Sequence, residues 1–165
     1  MPKLIMLCGF PGVGKSTFAR EELKDKGVYV SRDEIRMRYL QEGDEYFAYE
    51  TRVWMDYVDL IVENLSAGKD VIADSTNMSV KARKRLLNDI DLSYDGEPIE
   101  IQCYYFNVPI DVALARNAQR KGRARVPDDV LRKMARTFVA PIYEEDERIS
   151  IIFEVNEYNK IKVVW

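Results

Sequence analysis

Short apolar runs alternate along this chain with longer stretches in which apolar residues recur every three or four positions. Lys3 to Cys8 (KLIMLC) is a nearly unbroken apolar run, the mark of a strand buried on both faces. Val28–Ser31, Asp70–Ala73 and Ile99–Phe106 read as further strands, and Ser150–Val155 and Ile161–Val164 finish the chain as a hairpin turning near Glu157–Asn159. Between them the spacing predicts helices over Lys15–Lys26, Arg32–Gln41, Asp44–Ala67, Val80–Ile90, Ile110–Gln119 and onward from Pro127. In the longest, Phe47, Val53, Trp54, Tyr57, Val58, Ile61 and Leu65 form one stripe, and Gly68 supplies a left-handed cap. Ser79 is placed to cap the Val80 helix, and Pro127 suits a first helical turn. Alternating strands and helices predict an α/β fold: a mainly parallel sheet of about five strands with helices on both faces, a three-layer sandwich. No repeat, low-complexity tract or Pro/Gly-rich linker divides the chain, so one domain over 1–165 is expected.

Composition narrows the chemistry. A chain of 165 residues buries enough surface to fold without disulfides or a structural metal. No apolar run approaches the roughly 20 residues of a membrane span, and the opening MPKLIMLCGF lacks the features of a secretory signal. Cys8 and Cys103 both fall on buried-strand patterns, as reduced thiols do, and a cytoplasmic protein is expected. There are no histidines, which removes Ser-His-Asp and Cys-His catalysis in their usual forms and His-containing zinc sites. A general base must therefore be Asp, Glu, Lys, Tyr or Cys. Net charge is −3, yet Arg116–Arg136 carries eight basic and two acidic residues and Lys81–Arg85 four more basic ones. Two local basic patches on an acidic body favour a compact anion site over a long nucleic-acid track.

Gly9-Phe10-Pro11-Gly12-Val13-Gly14-Lys15-Ser16 matches G-x-x-x-x-G-K-[ST] between a strand and a helix. Glycines at such positions let backbone N–H groups of Gly12, Val13 and Gly14 approach phosphate oxygens, and the following helix offers its N-terminus. Lys15 would reach the β- and γ-phosphates, Ser16 a Mg²⁺ ion and Thr17 the α-phosphate. This is a nucleotide-binding loop. The chain lacks the N/T-K-x-D guanine motif and the D-x-x-G switch loop, so a phosphotransferase that closes a lid over 116–137 fits better than a switch.

Three further segments fall at the carboxyl edge of the predicted sheet. In Ser31-Arg32-Asp33-Glu34-Ile35-Arg36, Asp33 is the natural acceptor of a hydroxyl proton, and Arg36, one helical turn on, suits an anionic group; a helix cap and a solvated charge are the plain alternatives. Asp74 ends its strand as a Walker-B-type carboxylate does, with Thr76 and Asn77 supplying short hydrogen-bonding groups beside it. Arg116 and Arg120 share one helix face and would stabilise a transferring phosphoryl group. Arg123 and Arg125 read as a solvated basic face, and Tyr46, Phe47 and Tyr49 as core aromatics in preference to base-stacking ones.

Taken in order, G-x-P-G-x-G-K-S-T, S-R-D-x-x-R, D-x-T-N and R-N-x-x-R leading into V-P-x-x-V-L-R-x-M resemble the kinase half of phage-type 5′-polynucleotide kinase, from about Lys3 to Thr137. The resemblance implies ATP and Mg²⁺ held by Lys15 and Ser16, Asp33 as general base for a 5′-hydroxyl, and Arg36 on the phosphate at its 3′ side. It further implies Asp74 orienting active-site groups, Thr76 near the acceptor strand, Arg120 as the lid arginine and Arg116 as its support. The implied activity is transfer of the γ-phosphate of ATP to a 5′-OH end of DNA or RNA, with no obligatory protein partner. No D-x-D-x-T motif is present, so no 3′-phosphatase activity is expected. A small-molecule kinase on the same fold and a nucleotide-binding module without transfer chemistry are the alternatives.

Overall fold

The computed structural model describes residues 1–143 and 145–165. Its strands are β1 (Lys3–Cys8), β2 (Val28–Ser31), β3 (Val71–Asp74), β4 (Glu100–Phe106), β5 (Ile151–Val155) and β6 (Ile161–Val163). Its helices are α1 (Lys15–Glu21), α2 (Arg32–Tyr39), α3 (Glu50–Ser66), α4 (Val80–Asp91), α5 (Ile110–Ala118) and α6 (Asp128–Thr137). One sheet runs β2-β3-β1-β4-β5-β6. Its first five strands are parallel, and β6 adds the antiparallel arm of the expected hairpin.

The alternation within β1 builds two cores. Leu4, Met6 and Cys8 face α3 and α4, meeting Tyr57, Ile61, Leu86 and Ile90. Ile5 and Leu7 face the opposite layer, meeting Phe18 of α1, Ala113 of α5 and Leu131 of α6. Each buried Leu, Ile, Met or Phe among them contributes about 1.5–3 kcal/mol by leaving water. Because β1 lies at the centre, the loop that follows it emerges between the ends of β3 and β4. No helix among the described residues is long and apolar enough to cross a membrane.

Two expectations change. The helix expected from Asp44 begins at Glu50. Gly43 takes a positive φ of 89°, and the Asp44 carboxylate accepts the Gln41 N–H at 2.9 Å, holding the chain in turns. Phe47 therefore lies off the core stripe and is 65% exposed. The basic run Lys81–Arg85 is likewise not one solvated face, because Arg83 is fully buried. Its Nε and Nη2 donate to the two oxygens of Asp146 at 2.9 and 3.0 Å, and its Nη1 donates to the carbonyls of Asn77 and Val139 at 3.0 and 2.8 Å. A helical residue thus ties together the loop after β3 and the segment after α6.

Candidate active site

The carboxyl ends of β1, β2 and β3 open into a cleft of about 900 Å³, where parallel α/β sheets bind ligands. One wall is the loop after β1. Gly12 and Gly14 take φ of 86° and 95°. A Cβ at Gly12 would stand 2.5 Å from the Ala113 carbonyl oxygen, so the loop and α5 meet at a spacing only glycine permits. Gly14 caps α1 without a side chain, leaving the first-turn N–H groups for an anion. Lys15 Nζ donates to Gly9 O at 2.7 Å and Phe10 O at 3.4 Å. Burial draws the Lys15 pKa down, against the opposing charges of Asp74 and Asp33.

Below the loop, Ser16 Oγ donates to Asp74 Oδ2 at 2.9 Å, and the Tyr29 hydroxyl donates to the same oxygen. Burial, then the Asp74 charge, push the Tyr29 pKa up, so the phenol keeps the proton it donates. No cluster of three His, Cys, Asp or Glu that could hold a metal occurs among the described residues. One hydroxyl and one carboxylate beside a phosphate cradle is nevertheless a donor set that fits Mg²⁺, which takes its remaining oxygens from phosphates and water.

The facing wall comes from α2 and the start of α3. Ser31 caps α2 by accepting the Glu34 N–H at 3.2 Å. Asp33 is thereby released from capping, and its side chain is 73% exposed in the cleft. Arg36 is 4% exposed. Its Nε and Nη2 donate to Glu50 at 3.0 and 2.9 Å, while Nη1 donates to Asp33 Oδ1 and to the Tyr46 hydroxyl, the latter at 3.2 Å. Its guanidinium lies 4.8 Å from the Tyr46 ring centroid and 5.4 Å from that of Phe47. Burial pushes the Glu50 carboxyl up, but the Arg36 hydrogen bond and the charges of Arg32 and Arg36 outweigh it and hold the pKa below its ordinary value.

Above lies the segment between α5 and α6. Arg120, Arg123 and Arg125 all line the cleft. The Asn117 side chain pins both ends of this segment, donating to Val126 O at 2.6 Å and accepting the Val126 N–H at 3.0 Å. Arg123 Nη2 reaches across to donate to Gln41 O at 3.2 Å.

The structure therefore gathers Gly12, Gly14, Lys15, Ser16, Asp33, Arg36, Asp74, Thr76 and Arg120 around one cleft. It places others differently. Asn77 is buried at a positive φ of 45°, outside the cleft lining, and its amide donates to Leu7 O at 2.8 Å, so it braces β1. Arg116 is not among the cleft-lining residues and meets the phosphate loop beside Gly14. It donates to Val13 O and to Glu157 O, each at 2.9 Å, and so braces the phosphate loop against the terminal hairpin. Val13 packs its side chain in the core, and Thr17 is exposed outside the cleft lining. Sequence reasoning missed Glu50 and Tyr29, read Tyr46 and Phe47 as core aromatics, and left Arg123 and Arg125 to solvent, whereas all six line the cleft. Their roles come from contacts across the fold, and only the proximity of Tyr46, Phe47 and Glu50 to the S-R-D-x-x-R segment hinted at them.

The chain is similar to several known proteins. L-seryl-tRNA(Sec) kinase of Methanococcus maripaludis is 27% identical over 185 aligned residues, covering 97% of this chain and 68% of that protein. A solved Pnkp1/Rnl/Hen1 RNA repair complex contains a chain that superposes with a TM-score of 0.69 at 23% identity. That match covers 98% of this chain and 48% of the other, so the present chain spans about half its length. A sugar kinase from Janibacter sp. superposes with a TM-score of 0.67 at 16% identity, covering 97% of this chain and 88% of the other. The family model described as "AAA domain" (AAA_33) matches residues 4–141, and with that match and a phosphate loop facing a carboxylate wall, the chain belongs to this family of P-loop kinase domains.

Proposed function

We propose that this chain is an ATP-dependent polynucleotide 5′-hydroxyl kinase, acting as one domain over 1–165 with 116–137 as its lid. The observation that carries the reading is the Asp33–Arg36–Glu50 group, set beside the Tyr46 and Phe47 rings and opposite Lys15. A carboxylate for a hydroxyl proton, a guanidinium for a phosphate and aromatic rings for a base are what a nucleotide end presents partners for.

In this reading the N–H groups of the Gly12–Gly14 loop and Lys15 hold the donor phosphates, and Ser16 and Asp74 hold Mg²⁺. Mg²⁺, when bound, supplies charge neutralisation on the phosphates. Arg36 Nη1 and the Tyr46 hydroxyl both address Asp33 Oδ1, which leaves Oδ2 for the acceptor. The acceptor oxygen bonds to the γ-phosphorus as its proton passes to Asp33, and the bond from that phosphorus to the β,γ-bridging oxygen breaks, releasing ADP. Arg120 faces the charge that spreads over the phosphoryl oxygens. Cys8 and Cys103 are buried free thiols, as in a cytoplasmic protein.

A second reading rests on the 27% identity with a seryl-tRNA kinase: the acceptor hydroxyl would belong to serine carried on tRNA. The test is transfer of labelled γ-phosphate to a 5′-hydroxyl oligonucleotide, its 5′-phosphorylated twin, seryl-tRNA and a sugar. Label on the 5′-hydroxyl oligonucleotide alone is the expected result; label on seryl-tRNA or the sugar alone overturns it.

A further inference from the structure

A second cavity of about 540 Å³ lies at the same sheet edge, beyond Phe10, and the mechanism above makes no use of it. Phe10, Phe106 and Phe138 supply an apolar aromatic lining, with Phe10 and Phe138 edge to face at 6.1 Å. Its polar side is made by Arg132 and Arg136, four residues apart on α6 and both exposed. Among the described residues neither forms an ion pair or a side-chain hydrogen bond. Tyr105 and Asn107 also border the cavity, and both donate to Glu154, which is not among the lining residues. Val130 and Met134 of the same helix line the catalytic cleft instead, so α6 separates the two spaces.

Exposed guanidinium groups on adjacent turns, without a partner among the described residues, over an aromatic floor match a ligand with a phosphate and a planar ring. The volume lies within the range of small-molecule sites, about 300–1,000 Å³. We propose that this cavity is a second nucleotide site, with the phosphate on Arg132 and Arg136 and the base against Phe10 and Phe138. Its ligand is a nucleotide unit, either free or carried within an acceptor strand. The strand source rests on the polynucleotide reading; the free-nucleotide source does not.

The test is calorimetric titration of AMP, and of 5′-hydroxyl oligonucleotides two to eight nucleotides long, into protein saturated with a non-hydrolysable ATP analogue. Wild type is compared with R132A/R136A, with A135W, which fills the cavity without changing charge, and with R36A. A free-nucleotide site shows AMP binding weakened about tenfold or more in R132A/R136A and A135W, as loss of charge-assisted hydrogen bonds entails, and retained in R36A. A strand site shows affinity rising with oligonucleotide length in wild type and flat in R132A/R136A. Equal affinities in wild type and both cavity variants overturn the proposal, as does AMP binding lost only in R36A. Failure of phosphate transfer to 5′-hydroxyl ends would overturn the polynucleotide reading and leave the AMP titration standing.

Discussion

The two walls of the cleft are built from different materials. The phosphate wall is mostly backbone: glycines at positive φ, uncapped first-turn amides, and a single lysine resting on its own loop's carbonyls. The facing wall is mostly side chain: Asp33 and Arg36 of α2, Glu50 of α3, and the rings of Tyr46 and Phe47 from the turn between them. A backbone wall is specified by local sequence and recognises what all donors share. A side-chain wall is specified by tertiary packing and recognises what distinguishes one acceptor from another.

The sharpest way to break this division is Asp33→Asn. Loss of a general base costs about 10²–10⁴-fold, so single-turnover transfer should fall by that order while ATP affinity stays put. Transfer at the wild-type rate would take the chemistry away from this wall. Next is Asp146→Ala, which strands the buried Arg83 charge between the loop after β3 and the segment after α6. Urea denaturation should register a loss of about 3–5 kcal/mol. Arg36→Ala should raise the acceptor KM by roughly 10- to 100-fold with little change for ATP, as expected for a charge-assisted contact. A matching rise in the ATP KM would mean that the walls are not separate.

Phe47→Ala should have a smaller effect, near the low end of the ~1–3 kcal/mol that base stacking provides, and it should appear for oligonucleotides but not for a sugar acceptor. The smallest effect concerns pH. Arg36 and Arg32 hold the folded Glu50 pKa below its ordinary value of 4.5. The stability Glu50 contributes is therefore complete above pH 4.5 and is lost as pH falls through the depressed folded value. Glu50→Gln should lower thermal stability at neutral pH and flatten the acid limb of a Tm-against-pH curve.

The same contrast explains what could be read from the sequence. The phosphate loop was legible because its geometry follows from Gly12, Gly14 and Lys15 between a strand and a helix. The sheet was legible because β1 and β3 are apolar runs and β4 is an apolar and aromatic run interrupted only by Glu100 and Gln102. Asp33 and Arg36 were legible as a pair, one turn apart at a strand end. Glu50 was not, since it meets Arg36 only because turns near Gly43 and Asp44 fold the chain back. Phe47 matched a helical stripe by spacing, and nothing local showed that the helix begins three residues later. Arg83 and Arg116 looked like members of basic patches. Their partners, Asp146 and the carbonyls of Val13 and Glu157, lie 63, 103 and 41 residues away.

The glycine contact between the phosphate loop and α5 carries a thermodynamic consequence. Gly12 abuts the Ala113 carbonyl, Arg116 grips Val13, and Arg120 stands one turn further along, at the threshold of the arch that Arg123 fastens to Gln41. Phosphates settling into the loop bear on α5 through a joint with no slack. Any strain they transmit to the arch alters the free energy of the opposite wall. Reciprocity then requires that whatever factor the donor imposes on acceptor affinity, the acceptor returns to the donor.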